Sequence, residues 1–564
     1  MLLALTGALG CRAFHVNAQN KAVLNFDLTP RLSADPSADA IFVRYTLLGV
    51  ALQQTKPLEL EFETLAPMLL RTKDQVTDLN VSDDHGQLSF AMPVKSEHDG
   101  STFEMWRALR IAAGPVHVSY FVPVALAKTA KRGPQIDLQA AGGGISGAFV
   151  SFLCVPNLQG TVQAHVHWNL PKGQSAVSSY ATGDFVQDLN RDALRNTLFL
   201  AGQLRTYPSP APVQGLSTFS LGLPPESLER AAQWTSRAFD GERQAFQGSP
   251  TAPFRFMIRS YEGGPFASGR AGHASFLLYL PVGMDPGGSG LHDLVAHEMV
   301  HGLIEDLDAA PGDEGLWYTE GTADYFKLIL PYSAQLYTPR EYLDLINQES
   351  AEYYTNALIT TPNRQLSEVM WSGRNAWTVP YARGTLYFAD LSAKLEARHA
   401  GVKVVDLVNE VSRHIRSGEP GTNELWRNVL ASKAGAWAVE DWQSMLSGKL
   451  LMPQPDAFGD CFVGSPKRAG RFDMGFKYPV RLQAGSKIGG VAAGSAAAKA
   501  GLRDGDVMID DIDLIPIYTS FDKAVSIPIR RGEQDITITY NPHMGSVPAM
   551  RWAPRSGNPD RPCS

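Results

Sequence analysis

"HEMVHGLIEDLDAAPGDEGLWYTEGTADYF", residues 297–326, is the stretch on which the reading of this chain turns. On an α-helix, residues four apart are offset by only about 40°, so His297 and His301 point the same way. Two imidazoles on one helical face can share a zinc ion at about 2.0–2.1 Å each. Glu298 sits beside the first of them, where a carboxylate can take a proton from a zinc-activated water. The competing reading is three polar residues on an ordinary helix, and the five-residue pattern alone does not separate the two. Glu320 follows His301 after eighteen intervening residues, at the start of what reads as a second helix. A helix–loop–helix of that size can return a carboxylate to the metal as third ligand and leave one position open. Asp324, four residues on, shares the face of Glu320 and can hold the outer nitrogen of a zinc-bound histidine. Its plain alternative is a solvent-facing aspartate.

Just upstream, "FASGRAGHASFLLYLP" (266–281) reads as strand. A strand with one free edge beside a zinc helix can hold an extended peptide by main-chain hydrogen bonds. Working outward, residues 19–205 are mostly strand-like: "AIFVRYTLLGVAL", "HVSYFVPVAL", "GAFVSFLCVP" and "TVQAHVHWNLP" are β-rich runs broken by Gly, Pro, Asn and Asp clusters, the pattern of an antiparallel β-sandwich. Within "QAHVHW", His165 and His167 share one strand face. They read as a polar face more readily than as a metal pair. "AAGGGISG" (140–147) lacks the Lys-Ser/Thr ending of a phosphate loop and reads as a flexible loop. "YPSPAPVQG" (207–215) looks like a boundary. Residues 206–455 then give strands followed by helices, an α+β domain. The expected helices are "PESLERAAQWTSRAFDGERQAF", 291–308, "PREYLDLINQESAEYYTNAL", "YARGTLYFADLSAKLEARH", "VVDLVNEVSRHI" and "NELWRNVLAS". A last module spans 470–545.

The 564 residues accommodate about three or four domains. With 19% charged residues and a net charge of −7, the chain has no basic footprint for nucleic acid. No internal run is long and apolar enough for a membrane span. Residues 1–18, ending in "HVNA", are expected to be a signal peptide, which implies a periplasmic or secreted protein. The four cysteines, Cys11, Cys154, Cys461 and Cys563, contain no CxxC pair. Cys461 and Cys563 flank the last module and either pair in an oxidising compartment or stay as free thiols. Cys154 reads as a core residue.

HExxH, eighteen residues, then Glu in a "W-x-x-E-G" context resembles the gluzincin peptidases. Within them the chain is most similar to the PDZ-bearing glycyl aminopeptidase-like family, and more distantly to the aminopeptidase N and leukotriene hydrolase group. The resemblance implies a thermolysin-like α+β catalytic domain with zinc held by His297, His301 and Glu320, Glu298 as general base, and Asp324 behind a ligand. "VPYARGTLYFADL" resembles the "Y-x-K-G-a-L" helix of these families and so implies Tyr381 as oxyanion donor, with Arg383 where Lys is usual. "VHWNLPKGQSAVSSYATG" (166–183) resembles the end of the family's N-terminal β-domain, and the "GG-V-x-x-GS-x-A-x-x-AGL-x-x-GD" run at 489–506 resembles a PDZ module, implying a C-terminal PDZ-like β-barrel that takes peptide C-termini. The whole is then a multidomain α+β zinc peptidase acting on peptides or proteins.

One departure stands out. The related aminopeptidases carry a glutamate for the substrate amine in a Gly-x-Met-Glu-Asn or Gly-Leu-Glu-His element. Here the stretch is "SGRAGHAS"; Gly272 and His273 stand at the substrate-binding positions, and Glu262 does not align. An ammonium group is poorly received without a fixed anion. Aminopeptidase therefore leads on resemblance, endopeptidase is the alternative, and a non-catalytic zinc-stabilised PDZ scaffold is the rival, opposed by the intact Glu298.

Overall fold

The computed structural model describes residues 21–33, 39–49, 56–65, 76–98, 101–124, 136–156, 160–212, 214–247, 253–261, 267–307, 314–370, 374–478 and 482–561. The expected signal peptide with Cys11, and also Glu262 and Cys563, lie outside them.

The first third is built from sheets. A seven-stranded sheet runs in the order Phe185–Asn190, Thr161–Trp168, Val23–Arg31, Ala40–Leu48, Val116–Pro123, Thr77–Asp83, Gly86–Gln87. Its alternating inward residues, Leu24, Phe26, Leu28, Val43 and Tyr45 among them, share one core with Leu60, Phe62 and Phe199 from two four-stranded sheets and with Phe149. The sandwich is not wholly antiparallel: Val23–Leu28 pairs in parallel with Gln163–Trp168. "GAFVSFLCVP" is not one strand. It breaks after Ala148 into a 3-10 turn, Phe149–Ser151, then a two-residue strand, Cys154–Val155. Every residue from 144 to 156 is buried, so no periodicity marks the break. "AAGGGISG" forms strands Gln139–Ala141 and Gly144–Ala148 joined at Gly142–Gly143, whose φ values of 58° and 80° suit a tight hairpin; the loop expectation is corrected.

A five-stranded mixed sheet follows, in the order Leu204–Tyr207, Leu216–Leu221, Phe254–Tyr261, Ser275–Pro281, Ser268–Gly272. Both faces are covered. Phe254, Phe256, Ile258, Phe276 and Leu278 face the helices, while Met257, Leu277, Phe219 and Leu221 face Val177, Leu198 and Leu200 of the β-rich part. Double burial explains the unbroken apolar run "FLLYLP". The last strand in this order, Ser268–Gly272, has one neighbour among the described residues and forms an edge there. Helices Pro225–Ala245 and His292–Leu303 pack on the sheet; Leu316–Ser333 packs against both of them and against Arg374–Ala397, which in turn meets Pro339–Thr355, and Val404–Arg416, Asn423–Lys433 and Ala436–Leu446 follow. The Arg374 helix starts seven residues before "YARG" and carries Pro380 inside it, where a proline removes one helix hydrogen bond and crowds the carbonyl one turn earlier. No helix among the described residues is long and apolar enough to cross a membrane.

The C-terminal segment begins and ends as one antiparallel ribbon, Phe462–Phe472 with His543–Pro554. Phe462, Ala469, Met550 and Trp552 of the ribbon belong to the same core as the helices. Asn347 locks it in place, donating to the Trp552 carbonyl and accepting from the Trp552 amide at 3.0 Å each. Beyond the ribbon lies a separate small core of Met474, Ile488, Leu502, Met508, Ile527 and Ile529 under a three-stranded sheet. The expected barrel does not close among the described residues: the turn-rich chain from 477 to 512 contributes only the isolated bridges Lys477–Gly489, Leu482–Ile512 and Lys487–Val507, and the pair Val507–Met508.

Candidate active site

The His292–Leu303 helix buries Val295, Ala296, Met299, Val300 and Leu303, which leaves the His297–His301 stripe facing the next helix. That helix, Leu316–Ser333, is fixed at its start by Trp317. The indole is fully buried against Phe388 and Trp426 and donates to Asn423 Oδ1 at 2.9 Å. It crosses the Arg374–Ala397 helix where Gly321 meets Gly384. A Cβ on Gly384 would lie 2.1 Å from the Trp317 carbonyl oxygen and 2.6 Å from Gly321 Cα. Only glycine permits this approach, and it brings Tyr381, one turn before Gly384, over Glu320.

Three donor atoms converge. His297 Nε2 and His301 Nε2 lie 3.1 Å apart, and Glu320 Oε2 is 3.3 Å from the first and 3.4 Å from the second. Among the described residues, these are the three His, Cys, Asp or Glu side chains arranged to hold a metal ion. A tetrahedral centre with metal–nitrogen bonds of about 2.0–2.1 Å sets neighbouring donor atoms about 3.3 Å apart. Two imidazole nitrogens and one carboxylate oxygen at this spacing fit zinc with one position left open. His165 and His167 take other partners: His165 Nε2 meets Gln163 Oε1 at 3.0 Å and His167 Nδ1 meets Asp184 Oδ2 at 2.5 Å.

Behind the donors lies a chain of charge. Asp324 Oδ1 receives His297 Nδ1 at 2.7 Å, which turns Nε2 toward the other two donors. The same oxygen receives Lys327 Nζ at 2.6 Å, and Lys327 reaches Glu349 Oε1 at 3.0 Å on the Pro339–Thr355 helix. Asp306 Oδ1 stands 3.8 Å from His301 Nδ1. Burial pushes His297 down, but Asp324 and Glu320 outweigh it and raise the imidazole to about 9. Burial raises Glu320, and the two imidazoles more than reverse it, holding the carboxyl well below its usual range. Burial pushes Glu349 up to about 8 against the pull of Lys327. Asp306, Lys327 and Glu349 carry no motif; tertiary contact alone identifies them.

Glu298 is buried and its carboxyl is raised by that burial, against the positive charges of His297, His301 and Arg270. The edge strand rides directly over it: a Cβ on Gly269 would come within 2.4 Å of Glu298 Cγ. Tyr381 is half-buried. Its ring lies parallel to that of His297, centroids 6.1 Å apart, and edge-on to Trp377. Burial and then the nearby Glu320 and Asp324 charges raise the phenol far above its ordinary value, so it keeps its proton. Gly272 does not face the donors. A Cβ there would sit 3.0 Å from Leu198 Cδ1 and Ser179 Oγ and 3.1 Å from Ser275 Oγ. His273 is exposed at the hairpin and stacks on Tyr180, centroids 5.2 Å apart. Neither is brought to the three donors.

No protein-family model matches the chain, and no curated protein does. Among solved structures, an aminopeptidase N family protein from Idiomarina loihiensis is similar with a TM-score of 0.68 at 16% identity, over 96% of this chain and 100% of that one. An M1 zinc metallopeptidase from Deinococcus radiodurans overlaps with a TM-score of 0.47 at 16% identity, over 77% of this chain and 96% of that one. Native yeast LTA4 hydrolase overlaps with a TM-score of 0.48 at 15% identity, over 78% and 70%. The first likeness shows a shared fold over nearly the whole chain; the other two are partial overlaps from which nothing is drawn.

Proposed function

We propose that the chain is a zinc-dependent peptidase of aminopeptidase-like type. The observation that carries this is the convergence of His297 Nε2, His301 Nε2 and Glu320 Oε2 at zinc spacing, with Glu298 alongside. Zinc held there would supply Lewis acidity toward a peptide carbonyl and a water. Glu298 takes the water's proton on its carboxylate. Its raised affinity for protons lets it keep that proton until the leaving amine accepts it. Tyr381, protonated across the neutral range, donates a hydrogen bond to the oxygen that gains charge as the carbonyl is attacked. The substrate lies extended along the free edge of Ser268–Gly272, whose main chain borders Glu298.

The finer reading is a PDZ-bearing gluzincin with a thermolysin-like catalytic unit, whose C-terminal module takes peptide C-termini. Cys461 is disulfide-bonded, which supports a periplasmic or secreted protein. The endopeptidase alternative is favoured by Gly272, which offers no carboxylate and at which even a Cβ would press on Leu198 Cδ1, Ser179 Oγ and Ser275 Oγ at 3.0–3.1 Å.

Glu298→Gln should retain zinc at wild-type stoichiometry and lower kcat/KM by at least about 10³-fold. Metal analysis and peptide hydrolysis with and without a chelator test this; hydrolysis at the wild-type rate refutes the mechanism. Peptides with free and acetylated N-termini separate the two peptidase readings. Chelator-insensitive or absent cleavage of both leaves the zinc-stabilised scaffold.

A further inference from the structure

Three helices meet behind the converging donors in one buried run of charge. His297 comes from His292–Leu303, Asp324 and Lys327 from Leu316–Ser333, and Glu349 from Pro339–Thr355. Asp324 is 4% exposed, and Lys327 and Glu349 are 9% exposed each. A single atom joins the run: Asp324 Oδ1 receives His297 Nδ1 at 2.7 Å and Lys327 Nζ at 2.6 Å. Lys327 Nζ reaches on to Glu349 Oε1 at 3.0 Å, and Glu349 Oε2 has no hydrogen-bond partner among the described residues.

A lysine three residues after an aspartate on a helix is ordinarily a solvated pair that contributes little. Here the four-carbon stem is buried, and its end is pinned between carboxylates of two helices. A buried ammonium is tolerated only when paired and hydrogen-bonded. Replacing a buried ion pair by apolar side chains is often neutral for stability, so stability alone gives little reason for the charge. What the charge adds is direction. The carboxyl of an aspartate can rotate, and His297 needs one oxygen held opposite its Nδ1. With Lys327 on that same oxygen, turning Asp324 breaks two charge-assisted hydrogen bonds at once. Glu349 fixes where the ammonium stands. The imidazole is thereby aimed from behind, with Nε2 held 3.1 Å from His301 Nε2 and 3.3 Å from Glu320 Oε2.

We infer that Lys327 is a positioning residue for the zinc centre: held by Glu349, it fixes Asp324 against His297 and so sets the affinity of the three donors for the metal. This rests on the zinc reading proposed above and deepens it. Lys327 acts on the donors only through Asp324. The competing role is an ion pair that ties the two helices together and leaves the metal unaffected.

The test measures zinc affinity of the full-length protein by competition with a chromophoric chelator. Circular dichroism and thermal melting of the metal-free protein check the fold. Lys327→Met keeps an unbranched stem without the charge, and its zinc Kd should rise about 10- to 100-fold. Glu349→Gln, which keeps the shape, should raise Kd in the same direction by less. In an Asp324→Asn background, Lys327→Met should move Kd by less than about twofold, because the route is already cut. Melting temperatures that fall while Kd stays at the wild-type value in Lys327→Met and Glu349→Gln overturn the inference. An equal rise in Kd on adding Lys327→Met to wild type and to Asp324→Asn overturns it as well. If Lys327→Met fails to fold, Glu349→Gln decides: a weakened zinc site supports the inference and an unchanged one overturns it. Wild-type protein that takes up no zinc refutes the metal reading itself, whereas tight wild-type binding untouched by these variants defeats the role of Lys327 alone.

Discussion

Glu242 is completely buried on the Pro225–Ala245 helix, and neither of its carboxylate oxygens has a hydrogen-bond partner. Burial raises its pKa. The folded state therefore keeps a proton that the unfolded chain releases above about pH 4.3. Between that value and the raised folded value the native state binds more protons, so stability falls as pH rises through the window. Glu242→Gln removes the linkage. Its melting temperature should exceed that of wild type by a margin that grows from pH 5 to pH 8, reaching about 1–3 kcal/mol of unfolding free energy. A margin independent of pH would sink the assignment. At this scale the sequence was readable where local geometry decides. The spacing of His297 and His301 sets their common face, and the structure brings Glu320 to them. Glu349 and Asp306 were unreadable, because they approach from segments whose arrival no local pattern encodes.

Between elements, the crossing of two helices at Gly321 and Gly384 carries the geometry of the site. Each glycine lies within one turn of a functional side chain: Gly321 follows Glu320, and Gly384 is three residues after Tyr381. Gly384→Ala places a methyl group against main-chain atoms, which cannot swing aside as a side-chain tip can. The helices must part, at a cost of about 1–3 kcal/mol. Displacing Tyr381 from Glu320 by even about 1 Å should lower kcat/KM by about 10²-fold. Thermal melts and kinetics check both, and full activity with unchanged stability would show that the crossing tolerates the group. Most helices in residues 225–433 were legible from apolar spacing and end signals. The strand-to-turn break at Phe149 was not, since a wholly buried run has no exposed side to reveal its period. Nor was the parallel pairing of Val23–Leu28 with Gln163–Trp168, because alternation reports which face is buried and not which strand lies alongside.

For the whole molecule, the C-terminal ribbon decides how far the chain can be divided. Deleting everything after Gly459 removes Phe462, Ala469, Met550 and Trp552 from the core that supports the helices carrying His297, His301 and Glu320. That protein should melt well below wild type or fail to remain soluble. Joining Phe472 to His543 by a short turn removes only the separate small core and keeps the ribbon. It should stay folded with its zinc site intact. Equal stability of the two deletions, measured by thermal melting and zinc content, would contradict this division. Composition and turn signals mark the change from strand-rich to helix-rich chain near residue 210. The ribbon's union with the helical core carries no such local signal, because its strands lie some eighty residues apart and their partner is a helix.

The Pro339–Thr355 helix binds two neighbours at once. Asn347 exchanges hydrogen bonds with Trp552, and Glu349, two residues on, reaches Lys327 and through it Asp324 and His297. Two side chains of one helix thus serve the last strand and the three converging donors. Such a chain does not shuffle as a string of cassettes. Because Asn347 bonds the main chain of Trp552, a replaced C-terminal part keeps this link only if it lays a strand at the same place beside the helix.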